Sequence, residues 1–297
     1  MAKISVIGAG KWGTALFDAL SVENECFITS RTPRRLKNFV SLDEALDSKY
    51  LVFSLSAQIT HSWLKENFEY RGQKIVVASK GIDAKTTKFM HEIFSEFVPS
   101  ENLAAISGPS FASEVLQKLP CAIVISSKDL SFAKEFASFF PNYIKAYSSD
   151  DVIGAEICGA YKNVIAIASG ACDGLNLGNN ARASLISRGL VEINRFGKFF
   201  GAKDETFLGL SGAGDLFLTA SSNMSRNYRV GYGLAKGKSL NFILEELGEV
   251  AEGVLTSKAI LKIAQKHQIY TPIANEVAAV IEGKNPKDSL IDLLRQK

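Results

Sequence analysis

A glycine-rich turn near the start of the chain constrains the fold more than any other feature. The apolar run Lys3–Ile7 leads directly into a G-x-G-x-x-G sequence at residues 8–13. A strand, a turn and a helix start in this order are typical of a dinucleotide-binding βαβ unit. In such a unit Gly8 permits the tight turn, Gly10 lets the backbone approach a pyrophosphate, and Gly13 lets the helix pack closely on the strand. The pattern predicts a nucleotide site at the N-terminus of the first helix, the alternative being a tight turn without a ligand.

The periodicity of apolar residues changes near residue 148. Before that point, short runs rich in β-branched residues alternate with helical patterns, and several runs are apolar throughout, as in strands covered on both faces. After the first strand, these runs predict strands at residues 26–29, 50–55, 74–78, 103–106, 121–125 and 143–147. Helical patterns lie between them, for example over residues 86–98 and 130–139. Beyond Asp150 apolar residues recur at helical spacing, with glycine-rich interruptions such as residues 170–178.

These patterns predict an α/β fold that combines an N-terminal Rossmann-like doubly wound sheet with a C-terminal all-helical domain. The first domain is expected to span residues 1–148 and to bind the dinucleotide. The second is expected to span residues 149–297, to bind the substrate and to carry the catalytic group. A chain of 297 residues with 46% hydrophobic content is long enough to build two cores.

The charge and the composition argue against several classes of partner. With 34 basic and 31 acidic residues, the formal net charge is +3, which is too small to indicate a nucleic-acid or membrane surface. No uninterrupted run of about eighteen apolar residues predicts a membrane span. The four cysteines form no C-x-x-C pair and the three histidines are scattered, so we expect reduced thiols and no metal site. These features favour a cytoplasmic protein.

The segment after the second predicted strand bears on the choice of dinucleotide. A site that prefers NAD usually has Asp or Glu there, about twenty residues after the glycines, to bind the ribose 2′-OH. This chain instead has the sequence Ser-Arg-Thr-Pro-Arg-Arg at residues 30–35. Guanidinium groups such as those of Arg31 and Arg34 suit a 2′-phosphate, so NADPH is the expected cofactor and NADH the second choice. The other interpretation is a solvated basic loop.

Lys162 is the first candidate for acid/base chemistry. On a helix, its neighbours three and four positions away are Cys158, Gly159, Ile165 and Ala166, none of which is a carboxylate. Such apolar surroundings disfavour the ammonium form and bring a lysine amine toward a useful acid/base range. A lysine that extends from the end of an apolar face into solvent is the alternative interpretation.

Other polar residues stand at predicted strand and helix ends, where ligands often bind. Lys80 and the segment 107–111 follow apolar strands, and ligands of open α/β sheets sit at such carboxyl ends. Asp215 precedes an apolar run and is a candidate N-cap. The sequence Ser-Arg-Asn at residues 225–227 places three polar groups at a predicted helix start, where an anion is favourable. Each of these residues also has an interpretation as turn or capping chemistry.

Taken together, these segments resemble the NAD(P)-dependent glycerol-3-phosphate dehydrogenase family over essentially the whole chain. The resemblance is carried by short segments in one order, at residues 8–15, 79–81, 107–112, 161–163, 211–216, 225–227 and 250–253. It implies a cytoplasmic, often homodimeric enzyme that reduces dihydroxyacetone phosphate to sn-glycerol 3-phosphate with NAD(P)H, for glycerophospholipid synthesis. It also implies an N-terminal Rossmann-like domain and a helical C-terminal domain.

The resemblance assigns roles to the residues that match the family's motifs. Lys162 would be the catalytic acid/base. The residues that would contact the substrate are Lys80, Gly108, Ser110, Asp215, Ser225, Arg226 and Asn227. With the glycine turn and the basic segment included, the cofactor site would comprise Gly8, Gly10, Lys11, Trp12, Gly13, Arg31, Arg34, Lys80, Ala112, Arg226, Val250 and Glu252.

The sequence departs from the family pattern at three places. Lys11 stands where the family commonly has a small serine, and residues 54–58 replace a Val-Pro-Ser-Gln-like turn. The stretch between Arg31 and Tyr50 is also shorter than usual. These departures concern contacts with the cofactor. Two alternatives remain at this stage: a 3-hydroxy acid dehydrogenase of the 6-phosphogluconate dehydrogenase-like group, and a non-catalytic NADPH-binding regulator.

Overall fold

The computed structural model describes residues 1–295, over which the chain forms one sheet and a set of helices. The strands are β1 (Lys3–Ile7), β2 (Glu25–Thr29), β3 (Tyr50–Phe53), β4 (Lys74–Val77), β5 (Leu103–Ser107), β6 (Cys121–Ser127) and β7 (Ile144–Ser149). The helices that accompany the sheet are α1 (Lys11–Leu20), α2 (Leu42–Leu46), α3 (Ala57–Asn67), α4 (Met90–Phe94), α5 (Ala112–Leu116) and α6 (Leu130–Ala137). The later helices are α7 (Val152–Gly174), α8 (Gly178–Phe199), α9 (Asp204–Leu208), α10 (Asp215–Ala220), α11 (Arg226–Ala235), α12 (Leu240–Leu247), α13 (Glu252–His267), α14 (Pro272–Ile281) and α15 (Pro286–Arg295).

The strand order of the sheet is β2-β1-β3-β4-β5-β6-β7. Neighbouring strands are parallel except β5 and β6, which are antiparallel. The order reverses beside β1, where Ile7 lies opposite both Thr29 of β2 and Phe53 of β3. Ligands of open α/β sheets bind outside the carboxyl ends of the strands at such a switch point. The predicted fold class is confirmed.

The central strands are covered on both faces. β3 and β5 are buried at every residue, which explains their nearly continuous apolar sequence. Successive side chains of β3 point to opposite sides, so that Tyr50 and Val52 join one buried cluster and Leu51 and Phe53 join the other. The sheet is thereby a rigid support for the loops at its carboxyl edge.

All the predicted strands form, with ends that differ from the prediction by one or two residues. The predicted helix over 86–98 is wrong in extent, because it is α-helical only over Met90–Phe94. The cause is the carboxylate of Asp83, which accepts hydrogen bonds from the Lys85 backbone N–H and the Thr86 hydroxyl, both at 2.9 Å, and so holds a turn. The predicted helix over 130–139 ends two residues early, at residue 137.

The helix α7 is long and apolar enough, by length and composition, to cross a membrane, but 83% of its most hydrophobic window is buried inside the protein. Its apolarity is therefore that of a core helix. This helix continues to Gly174. The glycine-rich interruption predicted at residues 170–178 therefore begins later than predicted, after residue 174. Gly170 serves helix packing instead, because a Cβ there would lie 1.9 Å from the Tyr228 carbonyl oxygen of α11.

Contacts divide the chain into two compact units. The first comprises residues 1–80 and 89–156 and contains the sheet, and the second comprises residues 81–88 and the helical part from 157 onward. The domain assignment from sequence, 1–148 and 149–297, stays a prediction, and its residues 296–297 lie outside the described residues.

Candidate active site

In the turn between β1 and α1, two of the glycines stand where other backbone atoms come too close to leave room for a side chain. Gly8 has a φ of +112°, and a Cβ there would lie 2.5 Å from the Ser54 carbonyl oxygen. A Cβ on Gly13 would lie 1.8 Å from the carbonyl oxygen of Gly8, so the helix can pack on the turn only if residue 13 is glycine. A Cβ on Gly10 would meet nothing within 4 Å. The backbone at Gly10 is therefore accessible to a ligand.

The first turn of α1 offers hydrogen-bond donors to such a ligand. Its N-cap is Gly10, which supplies no side-chain cap. The indole Nε1 of Trp12, the second residue of α1, is buried without a hydrogen-bond partner among residues 1–295. Lys11, next to it, is exposed. The residues of this turn therefore fit the diphosphate of a dinucleotide.

The basic segment after β2 begins beside the glycine turn. The Gly8 backbone N–H donates to the carbonyl oxygen of Thr29, the last residue of β2, at 2.8 Å. The next residues enter an exposed loop that contains Arg31 and Arg34. Ser30 turns back on this loop, since its hydroxyl donates to the Thr32 carbonyl oxygen at 2.8 Å. Both guanidinium groups are accessible to a phosphate group.

Lys80, Gly108 and Ser110 come together at the carboxyl ends of β4 and β5. The Lys80 ammonium donates to the Gly108 carbonyl oxygen at 3.2 Å, and the Ser110 hydroxyl donates to the same oxygen at 3.1 Å. Gly108 has a φ of +101°, and a Cβ there would lie 3.0 Å from the Ala122 carbonyl oxygen, so the turn requires glycine. Ala112 follows as the first residue of α5. The cluster places an ammonium and a hydroxyl side by side.

Lys162 lies in a buried polar cluster formed by α7 and α10. Its ammonium donates hydrogen bonds to the carboxylate of Asp215 and to the Thr219 hydroxyl, the latter at 3.0 Å. The Thr219 hydroxyl lies 3.4 Å from the same Asp215 oxygen. The side chains of Lys162 and Asp215 are 8% and 1% exposed, so this charge-assisted bond is shielded from water. The cluster thus holds the Lys162 nitrogen between a carboxylate and a hydroxyl.

This cluster corrects two sequence-based interpretations. The apolar company predicted for Lys162 is wrong, because tertiary packing brings in a carboxylate from 53 positions away. The predicted N-cap role of Asp215 is also wrong: Gly214 is the N-cap of α10, after a π-helical turn at Leu210–Gly214. The carboxylate of Asp215 faces the lysine instead, and a negative charge there favours the ammonium form over the neutral amine.

The sequence Ser-Arg-Asn at residues 225–227 opens α11, as predicted. Ser225 is its N-cap, and the hydroxyl accepts a hydrogen bond from the Tyr228 N–H at 3.3 Å. The Arg226 guanidinium donates to the carboxylate of Glu249 at 3.2 Å. Asn227 is buried, and its side-chain oxygen accepts from the Gly253 N–H at 2.9 Å. The helix start thus presents one half-exposed guanidinium beside its N-terminal N–H groups.

The start of α13 packs against the same helix start. A Cβ on Gly253 would lie 2.7 Å from both the Asn163 carbonyl oxygen and the Asn227 side-chain oxygen. Asn163 directly follows Lys162, so the second unit brings the lysine's helix, the start of α11 and the start of α13 together. Val250, in the segment before α13, is 52% exposed. Glu252 is the first residue of α13.

Sequence reasoning missed two residues of these clusters. The sequence does indicate Thr219, because it stands four positions after Asp215 and therefore lies on the same face of the helix. No sequence pattern indicates Glu249, because its contact with Arg226 joins segments 23 positions apart. Over residues 1–295, no group of three His, Cys, Asp or Glu side chains is arranged to hold a metal ion.

Comparisons with known proteins agree over nearly the whole chain. The sequence profile described as the N-terminus of NAD-dependent glycerol-3-phosphate dehydrogenase matches residues 19–133, and the profile of its C-terminus matches residues 151–292. A glycerol-3-phosphate dehydrogenase (NAD(P)+) from Campylobacter lari is 67% identical over 295 residues, which cover 99% of this chain and 98% of that protein. A protein of the same name from Sulfurimonas denitrificans is 60% identical over 294 residues, 99% of each chain. The crystal structure of glycerol-3-phosphate dehydrogenase from Coxiella burnetii has a TM-score of 0.92 at 32% identity, covering 99% of each chain.

A doubly wound sheet with a glycine-rich turn before its first helix is typical of dinucleotide-binding proteins, and the matches place the chain among the NAD(P)-dependent oxidoreductases. Within that class the matches are specific. The chain belongs to the NAD-dependent glycerol-3-phosphate dehydrogenase family. The predicted family, the enzyme class and the NAD(P)H cofactor are confirmed, and the alternative of a non-catalytic regulator is set aside. The roles of the individual site residues stay predictions.

Proposed function

We propose that this chain reduces dihydroxyacetone phosphate to sn-glycerol 3-phosphate with NADPH, and that Lys162 supplies the proton. The observation that carries the proposal is the buried ammonium of Lys162, which is hydrogen-bonded to Asp215 and Thr219. The reduced nicotinamide, when bound, supplies a hydride to the carbonyl carbon of the substrate. The carbonyl oxygen then gains an electron pair, and the Lys162 ammonium donates a proton to it, which yields the hydroxyl group of the product.

Asp215 and Thr219 prepare Lys162 for this transfer. The carboxylate keeps the lysine in the ammonium form before the reaction. The Thr219 oxygen, 3.0 Å from the Lys162 nitrogen, takes a second N–H bond and so helps to fix the position of the ammonium. In the direction of oxidation, Lys162 takes the proton back from the product hydroxyl, and Asp215 stabilises the ammonium that forms. The same three side chains therefore serve both directions.

The phosphate of the substrate has a natural binder in Arg226. Its guanidinium offers a planar, charged donor set, and the N-terminus of α11 adds the positive end of the helix dipole. A phosphorylated substrate therefore fits this chain better than the 3-hydroxy acid of the alternative hypothesis. The remaining residues proposed to contact the substrate are Lys80, Gly108, Ser110, Asp215, Ser225 and Asn227.

The cofactor is proposed to be NADPH in preference to NADH. The backbone of the glycine turn would hold the diphosphate, and the exposed guanidinium groups of Arg31 and Arg34 would hold the 2′-phosphate. The residues proposed for the whole cofactor site are Gly8, Gly10, Lys11, Trp12, Gly13, Arg31, Arg34, Lys80, Ala112, Arg226, Val250 and Glu252.

We propose that the enzyme supplies glycerol 3-phosphate for glycerophospholipid synthesis in the cytoplasm. We also propose that it is a homodimer, in which each subunit has domains at residues 1–148 and 149–297. Free thiols support a reducing compartment. Burial raises the pKa of the Cys26 thiol to about 12 and also raises that of Cys172, so neither is a reactive thiolate at neutral pH.

The direct test is to follow the absorbance of NADPH with dihydroxyacetone phosphate, and then with 3-oxo acids, as the second substrate. We expect rapid oxidation of NADPH with the phosphorylated ketone and little with the acids. No oxidation with dihydroxyacetone phosphate, or faster oxidation with a 3-oxo acid, would refute the proposed substrate.

A further inference from the structure

The guanidinium of Arg226 already has an anionic partner within the chain. Its Nη1 lies 3.2 Å from Oε2 of Glu249, and the two side chains are 47% and 31% exposed. Arg226 is the first residue of the ten-residue helix α11, and a cation there adds to the positive end of the helix dipole. An anion is therefore favourable at this point for two reasons, the charge of Arg226 and the helix dipole. Glu249 supplies such an anion from within the chain.

The segment 248–251, which carries Glu249, is anchored at both ends. Gly248 ends α12 in the left-handed conformation, with a φ of +61°. Beyond the segment, the N–H of Gly253 donates to the side-chain oxygen of Asn227 at 2.9 Å. Because Asn227 follows Arg226, this second anchor is fixed to the same helix start as the guanidinium. The backbone thus keeps the carboxylate of Glu249, whose side chain is 31% exposed, within reach of Arg226.

We propose that Glu249 is an internal competitor for the anion-binding site at Arg226, and that it sets the affinity of the enzyme for a phosphate group. The carboxylate occupies one N–H of the guanidinium, so a phosphate oxygen can take that donor only after the carboxylate has left it. This inference rests on the proposed function, in which Arg226 binds phosphate. The ligand is a phosphate ester, which comes either from the substrate or from the cofactor, since Val250 of the proposed cofactor site lies in the same segment and Glu252 directly follows it.

Removal of the charge of Glu249 is therefore expected to strengthen the binding of a phosphate group rather than to weaken it. Glu249→Gln keeps the shape of the side chain and removes its charge. Less free energy is then needed to break the contact with Arg226 when a phosphate group binds. Since a half-exposed ion pair is weak, the gain in affinity is limited to roughly two- to fivefold. Salt screens the pair, so the gain should shrink at high ionic strength.

Glu246 offers a matched control. It lies three positions earlier, on α12, and pairs with Lys238 at 2.7 Å, with 50% of its side chain exposed. Glu246→Gln makes the same change in net charge close to the segment 248–251 without touching Arg226. A general effect of charge on ligand binding would therefore appear in both variants, whereas competition at Arg226 would appear in the Glu249 variant alone.

The experiment uses the full-length enzyme and two constants. The KM for dihydroxyacetone phosphate is measured at saturating NADPH, and the Kd for NADPH is measured by fluorescence titration without substrate. We expect Glu249→Gln to lower one of the two constants roughly two- to fivefold at low salt, while Glu246→Gln changes neither. A fall in KM identifies the phosphate as the substrate's, and a fall in Kd identifies it as the cofactor's. Unchanged constants for Glu249→Gln, or an equal fall for Glu246→Gln, would overturn the inference.

Arg226→Gln separates this inference from the proposed function. If Arg226 binds phosphate, this variant raises the KM or the Kd by about tenfold or more, as expected for the loss of a charge-assisted hydrogen bond. Adding Glu249→Gln to it should give no further gain, and a further gain would overturn competition at Arg226. No effect of Arg226→Gln would refute the phosphate role itself. An effect of Arg226→Gln without any effect of Glu249→Gln would overturn the competition by Glu249 and leave the phosphate-binding role of Arg226 standing.

Discussion

Lys162 and Asp215 form a charge-assisted hydrogen bond between two buried side chains that lie 53 positions apart in the sequence. Two helices of the second unit, α7 and α10, bring them together, and Thr219 binds the same ammonium one helical turn later. A buried ion pair is expensive to desolvate, and well-packed apolar residues often give equal or better stability. The pair is therefore better explained by the proton transfer that we propose for Lys162 than by any contribution to folding.

Asp215→Asn is expected to destabilise the protein. The amide keeps the shape and can still accept a hydrogen bond, but it leaves the buried ammonium of Lys162 without a counter-charge. Removal of one partner of a buried pair costs on the order of 3 kcal/mol in the free energy of unfolding, as measured by urea denaturation. The double variant Lys162→Met/Asp215→Asn should recover part of that loss. A double variant less stable than Asp215→Asn alone would contradict the buried ion pair.

Thr219→Val is expected to lower kcat by roughly tenfold, with little change in the Kd for NADPH. Valine fills the same space but cannot accept the Lys162 hydrogen bond, and a lost bond to a charged group is worth about 1.5 kcal/mol or more. Thr219→Ser keeps the hydroxyl and serves as the control, with a kcat near that of the wild type. Equal kcat values for the valine and serine variants would show that the hydroxyl plays no part.

Arg31→Gln is expected to weaken NADPH binding at least about tenfold more than NADH binding. The guanidinium would bind the 2′-phosphate, which NADH lacks, through charge-assisted hydrogen bonds. Arg35→Gln is the matched control, because Arg35 is exposed in the same loop. The Kd values of both cofactors for both variants decide the matter. An equal loss of affinity for NADPH and NADH in Arg31→Gln would remove the 2′-phosphate role.

The pair of His91 and Glu156 gives the protein a pH-dependent stability. The carboxylate accepts a hydrogen bond from the His91 backbone N–H at 2.9 Å and contacts the ring Nδ1 at 2.6 Å. Burial lowers the pKa of His91, but the charge and hydrogen bond of Glu156, with the charge of Glu92, together raise it by more, to above its ordinary value of 6.5. The folded state therefore holds this proton more tightly than the unfolded state. The stabilisation is fully present below about pH 6.5 and is lost as the pH rises through the folded-state pKa.

His91→Gln should remove this contribution. The wild type should be the more stable protein at about pH 6, and the difference in free energy of unfolding should shrink toward about pH 8. His61→Gln, on α3, corrects for the loss of one histidine without touching Glu156. A difference between wild type and His91→Gln that stays constant over this pH range would show that His91 does not titrate as described.

The parts of the structure that could be predicted from sequence are those set by local chemistry. The strand β3 is apolar throughout because both of its faces are buried, and the turn at Gly8 requires glycine because the Ser54 carbonyl oxygen lies 2.5 Å from where a Cβ would be. The start of α11 at Arg226 was also predictable, because Ser225 is a standard N-cap. Each of these signals lies within a few residues of the feature it predicts.

The parts that could not be predicted depend on contacts between distant segments. Nothing near Lys162 in the sequence indicates Asp215 as its partner, and the side chain of Asp215 looks like a helix cap until α10 is packed on α7. The predicted helix over 86–98 was wrong because the carboxylate of Asp83 holds a turn that a periodicity argument does not register. Side-chain hydrogen bonds of this kind compete with helix formation.

The proton-donor role of Lys162 is tested most directly by comparing turnover and cofactor affinity for Lys162→Met and Lys162→Arg. Methionine keeps the length of the side chain without a proton to donate, and arginine keeps the charge beside Asp215 but does not release its proton. We predict that both variants bind NADPH with a Kd close to that of the wild type. We also predict that kcat with dihydroxyacetone phosphate falls by about 10²- to 10⁴-fold, the range of general acid catalysis. A kcat within about tenfold of the wild type in either variant would remove Lys162 as the proton donor.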